Sequence, residues 1–474
     1  MRHDRDGAEK GRADRCRRRR AAAALLAAVV AAGVAGEAAA QGFQQAVPIP
    51  STTKQSLTTI ERSFNPAPPP ALALFPDVHR EMQDAPAFFR DARVELNLRS
   101  YYRDNVKNAP TGATVSEAWA TGGWAAIETG RLFGLISGGA VFYGSLPIYA
   151  PPDFGNTGLL KPDQQGYAVV GQLYGKLHLS DSLDFIAGRY LYDTPFLGPQ
   201  DNRMTPNTFY GYALQGSLGN PASGPAVRYG GGYIAAIKQR DSDVFVSMAR
   251  AAGADVDRGV GVAGAVLTWG AASLGAIEYY AQDIINIAYG EAKYGVDLPF
   301  GLDGALAAQY ADQRSTGANL LTGSAFATDQ FATRLQLGYR TAILTAAYSV
   351  VDPGFAMQSP WSANPFYTDS LVLSFQRAGE NALMFGLSYD FTPIGLDGIA
   401  AGIQYFNGWT SAPAAGAPLV EDEWDFRLEW RPDWKPLSGL WLSARYGLAN
   451  TFQNNVTTRT DEIRLTLNWK VKLY

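Results

Sequence analysis

The chain has 474 residues, 44 acidic against 40 basic, and a formal net charge of −4, which disfavours nucleic acid as a partner. One cysteine and three histidines exclude a disulfide framework and a cysteine–zinc site, and argue against a multi-histidine metal centre. Fifty glycines beside 24 tyrosines, 23 phenylalanines and 10 tryptophans, with slightly negative mean hydropathy, argue against a helical membrane protein and suit a transmembrane β-barrel with a polar interior.

At the N-terminus, Arg12, Arg15 and Arg17 to Arg20 form a basic region, followed by an apolar run over 21–36. Ala38-Ala39-Ala40 then supplies a small-residue cleavage site, so residues 1–40 read as a secretory signal peptide. Glu37 and the cleavage motif speak against a retained anchor, and no aromatic residue follows the arginines as in a twin-arginine signal. Cys16 leaves with this segment. Residues 41–90 are a Pro-rich lead without a sustained period, expected in the periplasm or at a barrel mouth.

Alternation of period two begins at Arg93, where Val94, Leu96 and Leu98 oppose Glu95, Asn97 and Arg99, with Tyr101-Tyr102 closing the strand. Residues 118–130 and 133–143 read as two strands joined by a tight turn at Gly130-Arg131. The Pro/Gly-rich stretch 146–165 is a long connection that either folds inward to narrow a pore or stays outside. Leu173, Leu177 and Leu179 then oppose Gln172, Tyr174, Lys176 and His178. His178 reads as a lumenal or interfacial polar residue and not a catalyst, because no acid or nucleophile is placed around it in sequence. The run from Gly259 to Gly264 fits the dinucleotide fingerprint literally, but it lies inside strand-like sequence and so carries no cofactor expectation.

Further alternating stretches recur at intervals of roughly 20 residues, as ~10-residue strands with connections would give. Leu335, Leu337 and Tyr339 oppose Arg334, Gln336 and Arg340, and Leu383, Phe385 and Leu387 oppose Ser388 and Asp390. Trp424, Phe426, Leu428 and Trp430 oppose Asp425, Arg427, Glu429 and Arg431, while Leu442 and Ala444 oppose Ser443 and Arg445. Glu421-Asp422-Glu423 is placed in a loop. In the last stretch, 461–474, Ile463, Leu465, Leu467, Trp469, Val471 and Leu473 share one face, and Glu462, Arg464, Thr466, Asn468, Lys470 and Lys472 the other. One face suits hydrocarbon and the other water. Tyr474 falls on the polar parity, one residue away from the usual place of a terminal aromatic.

Four segments resemble the OprD-type outer-membrane specific porins of Gram-negative bacteria. They are GRYLYDTPFLGPQDNRMTPNTFYG at 188–211, FQRAGENALMFGLSYDF at 375–391, the strand–loop–strand region 398–430 with Tyr405, Asn407 and Gly408 before Glu423-Trp424-Asp425, and 439–467 with Arg445-Tyr446 before Asp461-Glu462 and Arg464-Leu465. The resemblance implies an antiparallel barrel of 18 strands, with short periplasmic turns and longer extracellular loops, over residues 91–474. It also implies passive diffusion of amino acids, peptides or organic carboxylates through a constriction lined by arginines, tyrosines and acidic residues.

Lumen parity and the resemblance together nominate as pore-lining Arg99, Lys176, Arg189, Arg203, Arg334, Arg340, Asp390, Asp425, Arg427, Glu429, Arg445 and Arg464. Glu462 is a further acidic partner, and the facing of Arg189, Asp201 and Arg203 is ambiguous from parity. The alternative for these charges is mutual neutralisation on the barrel wall. No catalytic residue, cofactor or metal is expected. Expected partners are outer-membrane lipid and lipopolysaccharide, the barrel-assembly machinery and a small-molecule solute, with a homotrimer left open. The competing readings are an outer-membrane barrel for export or partner binding, and an exported soluble β protein.

Overall fold

The computed structural model describes residues 71–473 except Ala222 and 411–418. The signal peptide, the lead up to residue 70 and Tyr474 lie outside the described residues.

Eighteen long strands close into one antiparallel barrel. The first six are β1 (Arg93–Ala109), β2 (Gly112–Glu128), β3 (Ile136–Tyr149), β4 (Tyr167–Ser180), β5 (Leu183–Tyr190) and β6 (Thr208–Gly219). Then come β7 (Ala226–Lys238), β8 (Val260–Trp269), β9 (Ala272–Ala281), β10 (Ile285–Leu298), β11 (Leu302–Arg314) and β12 (Ala327–Tyr339). The last six are β13 (Ala342–Val351), β14 (Glu380–Asp390), β15 (Ile399–Thr410), β16 (Leu419–Trp430), β17 (Leu440–Gln453) and β18 (Val456–Lys472). Each strand pairs with the next, and β18 returns to β1 in a register running from Glu95↔Lys472 to Asn108↔Arg459. Closure leaves no open sheet edge whose N–H and C=O groups would face hydrocarbon without partners.

The alternation sorts side chains opposite to a soluble core. Leu98 is 44% exposed on the outer wall, while its neighbours Asn97 and Arg99 are 6% and 7% exposed inside. Leu335, Leu387 and Phe426 likewise point outward. Connections after even-numbered strands are short, as at 181–182, 270–271 and 340–341, and define one rim. The other rim carries the long connections 150–166, 191–207, 239–259, 315–326 and 352–379.

Several sequence expectations change. Strand β1 runs well past Tyr101-Tyr102, to Ala109. The hairpin placed at Gly130-Arg131 is joined instead by 129–135, where Gly130 N–H is taken by the Phe88 carbonyl and so leaves the ladder. Glu421, Asp422 and Glu423 lie within β16, not in a loop. The described part of the lead is ordered on the short-turn rim. Leu72–Ala73 pairs in parallel with Val471 and Lys472, and helices span Pro76–Glu81 and Ala87–Arg90.

The long connections pack into the lumen. Tyr192, Phe196 and Leu197 from 191–207, Met248 and Ala249 from 239–259, and Trp361 and Phe366 from 352–379 form one apolar cluster against Ile186, Ile234, Ile277 and Tyr279 of the wall. Trp361 is fully buried and donates from Nε1 to the Met248 carbonyl at 3.1 Å. The stretch 150–166 also turns inward, with Leu159 and Leu160 packing on Tyr101, Ala118 and Met204.

Gly123 of β2 has φ +125°, and a Cβ there would sit 1.9 Å from the Asn97 carbonyl oxygen of β1. The clash is with backbone inside a paired ladder, so it cannot relax by a rotamer change. Gly123→Val is expected to destabilise the barrel by at least about 2 kcal/mol. Loss of the fast-migrating folded band in unboiled gel samples would reveal it, and an unchanged band would refute the close approach.

Candidate functional site

Inward parity on four adjacent strands brings four arginines to one height. Arg427 of β16 lies directly opposite Arg445 of β17, Arg445 opposite Arg464 of β18, and Arg464 opposite Arg103 of β1. Like charges facing each other across a ladder repel, so carboxylates are interleaved. Glu462 accepts from Arg103 Nε at 2.9 Å and Nη2 at 2.8 Å, from Asn105 Nδ2 at 2.6 Å, and from Arg464 Nε. Glu429 pairs with Arg427 and accepts from Arg431 Nη2 at 3.0 Å. Arg445, half-buried, has no hydrogen bond or ion pair among the described residues.

Two inward connections meet this row. Arg99 of β1 anchors 191–207, donating to Asp201 at 2.5 and 3.1 Å, to the Arg203 carbonyl at 2.5 Å and to Asn468 at 2.6 Å. That anchor carries Arg203 into the neighbourhood of Arg464, Arg103 and Arg240. Burial, and then these like charges, hold the Arg203 guanidinium well below the ordinary arginine range. Its buried Nε has no partner. Arg240, from 239–259, donates to Asn202 Oδ1 at 2.6 Å.

From the other side, 352–379 is held by carboxylates of β16. Glu423 accepts from Ser370 Oγ at 2.6 Å, Val372 N at 2.7 Å and Leu373 N at 2.8 Å. Asp425 accepts from Leu371 N at 3.0 Å, and Arg464 Nη2 donates to the Leu371 carbonyl at 2.7 Å. Arg377 pairs with Glu421 at 2.9 Å. The segment 370–373 is therefore fixed beside the arginine row through its own backbone.

The nominated residues fall into two groups. Arg99, Arg203, Arg427, Arg445 and Arg464 converge, with Asp425 and Glu429 among them. Arg334 faces inward but stacks on Tyr367, 4.4 Å from the ring centre, and Lys176 lies over Tyr174 and Tyr190 at 5.2 and 5.3 Å. Three are misplaced. Arg189 is directly opposite Leu173 on the outer face, bonded to the Val170 carbonyl at 2.9 Å with its guanidinium over Phe245. Arg340 sits in the turn 340–341 with φ 53°, outside β12, and its guanidinium lies over the Tyr339 ring. Asp390 caps a rim turn, accepting from Thr392 N at 2.9 Å and Oγ1 at 2.7 Å.

Arg103 and Arg240 were not nominated. Extending the β1 alternation beyond Tyr102 would have found the first; the second lies in a connection without a period. His178 is also corrected, since Ser137 Oγ and Asp184 Oδ1 lie 2.8 and 2.7 Å from its two ring nitrogens.

A family model described as outer membrane porin, OprD family, matches residues 86–473. Among solved structures, Pseudomonas aeruginosa OccK9 (OpdG) is similar at 24% identity and TM-score 0.73, covering 82% of this chain and all of its own. Pseudomonas aeruginosa OpdK with vanillate gives 20% identity and TM-score 0.68, with 81% of this chain and 100% of that chain covered. A BenF-like porin from Pseudomonas fluorescens Pf-5 gives 19%, TM-score 0.71, and the same coverages. At these identities the likeness concerns the fold. No curated protein matches the chain.

Removing Glu462 leaves Arg103 and Arg464 inside the wall without their shared carboxylate. Glu462→Ala is expected to cost about 3–5 kcal/mol, read as a lower urea midpoint for tryptophan fluorescence of the refolded barrel. An unshifted midpoint would show that Glu462 compensates neither arginine.

Proposed function

The chain belongs to the OprD family of outer membrane porins and lies in the outer membrane, and we propose that it passes small anionic solutes, carboxylates above all, down their gradient along the arginine row. The observation that carries this reading is Arg445. Its neighbours in the row hold carboxylates or a loop carbonyl, whereas its donors are open to a passing solute. A guanidinium binds a carboxylate through two parallel hydrogen bonds. Interleaved Glu429 and Glu462 lower the net field, so that binding remains weak enough for release.

One structural relative is recorded with vanillate, an aromatic carboxylate, which accords with a passage for carboxylates. Diffusion of this kind needs no cofactor, energy source or catalytic group. The apolar outer wall suits contact with outer-membrane lipid and lipopolysaccharide, and assembly there by the barrel-assembly machinery; a homotrimer is the oligomer to test for.

The experiment is single-channel conductance of the refolded barrel in planar bilayers, titrated with carboxylates, amino acids and sugars. Stepwise conductance blocked by carboxylates alone is expected, and conductance indifferent to all three would refute the selectivity. For Arg445→Ala we expect carboxylate affinity to fall roughly 10- to 100-fold, the loss of one charge-assisted contact, with a reversal potential shifted away from anion preference. Unchanged block would move the binding step elsewhere.

Glu423→Ala removes three of the hydrogen bonds that hold 370–373 against the wall. A higher and noisier single-channel conductance is expected, and an identical trace would show that 352–379 stays inward without Glu423.

A further inference from the structure

Near the short-turn rim, away from the arginine row, three polar side chains line up across three adjacent strands. Ser137 is on β3, His178 on β4 and Asp184 on β5. Ser137 Oγ lies 2.8 Å from His178 Nε2, and Asp184 Oδ1 lies 2.7 Å from His178 Nδ1. In the neutral ring, an Nδ1–H donating to the Asp184 carboxylate leaves Nε2 with its lone pair, free to accept from the Ser137 hydroxyl. That is the polarity of a nucleophile, a general base and an orienting acid.

Two further observations, the cavity and a break in the ladder, favour chemistry here over a plain strand fastening. Ser137 and His178 both line a cavity of about 460 Å³ that is open to solvent, within the size range of small-molecule sites. Arg93 and Arg131 line the same cavity together with Asp91 and Glu128, and Lys176 is the direct cross-strand partner of Ser137. The β4–β5 ladder shifts register between His178 and Ser180, a local irregularity that re-aims side chains at that position.

We propose that Ser137, His178 and Asp184 are a hydrolytic triad that cleaves small carboxylic esters at the turn-side mouth of the barrel. Ser137 Oγ attacks the ester carbonyl carbon while its proton passes to His178 Nε2. The negative charge that develops on the carbonyl oxygen is met by Arg93 and Arg131, which share the lining with Asp91 and Glu128. Collapse breaks the bond to the alkoxy oxygen, which leaves with the proton from His178. Water then attacks the acyl-serine, giving its proton to His178, and Ser137 leaves with that proton as the carboxylic acid departs. The activity is separate from conduction and stands or falls independently of it.

The test uses the purified mature chain in detergent, with fold verified by heat-modifiable migration. A fluorophosphonate probe is expected to label one site, placed at Ser137 by peptide mass spectrometry. Ser137→Ala is expected to abolish both the label and p-nitrophenyl butyrate hydrolysis, and His178→Gln to slow both by about 100-fold or more. Asp184→Asn, which keeps the hydrogen-bonding shape but favours the wrong tautomer, is expected to fall to the Ser137→Ala background. If folded wild-type protein takes no label at Ser137, or hydrolyses the ester no faster than Ser137→Ala, the proposal is overturned and the three side chains only fasten β3, β4 and β5. Labelling of the wild type decides the matter even if a variant fails to fold.

Discussion

Hydrocarbon offers no partner to a peptide group, and each unpaired N–H or C=O there costs several kcal/mol, about as much as many whole-domain stabilities can spare. A sheet in that medium cannot have an edge. The seam between β1 and β18 is therefore the contact on which the other seventeen depend, and it joins residues more than 350 positions apart in the chain. The seam also orders charge: Arg103 and Arg464 face each other across it, and Glu462 holds both. The strands that close the barrel are the strands that carry half of the arginine row.

Charge inside such a wall is tolerated only in compensated form. Two guanidiniums directly opposite would each raise the cost of desolvating the other, yet here they occur three times in succession, from Arg427 to Arg103. Carboxylates spaced two residues away on the same strands, Glu429 from Arg427 and Glu462 from Arg464, make the arrangement affordable. The compensation is uneven. Arg445 sits between two neutralised neighbours without a carboxylate of its own among the described residues, and Arg203 is brought in from a connection to face the same group.

Much of this was legible from alternation, because the outer face of a barrel must be apolar and the strand period is two. Leu98 outside and Arg99 inside followed from that rule, as did Arg427, Arg445 and Arg464. The rule assumes, however, that inside means wet. On β5 the inward residues are Ile186, Gly188 and Tyr190, since connections pack onto them from within, and the polar Arg189 is left facing out. Parity left Arg189 ambiguous there, and polarity was a false guide. The apolar content of 191–207, with Leu191, Phe196, Leu197 and Met204 amid prolines, was a signal that this stretch would be buried, and it went unused in favour of 146–165. The meeting of Ser137, His178 and Asp184 depends on the registers of two ladders, including one shift, which no single strand's sequence reveals.

The hold on 370–373 is made almost wholly to main-chain atoms: Leu371, Val372 and Leu373 are gripped by their N–H groups, and Leu371 also by its carbonyl. The side chains of Leu371 and Val372 lie beside Gly447 of β17, and Leu373 packs on the cluster of Phe375 and Phe406, so this short segment is a foot planted on the wall. Substitutions elsewhere in 352–379 can change what the connection presents to the lumen while the seat on β16 and β18 stays the same. The barrel thus behaves as a fixed socket and the rest of the connection as an exchangeable insert, which lets a lineage acquire a new solute without first having to find a new way to fold.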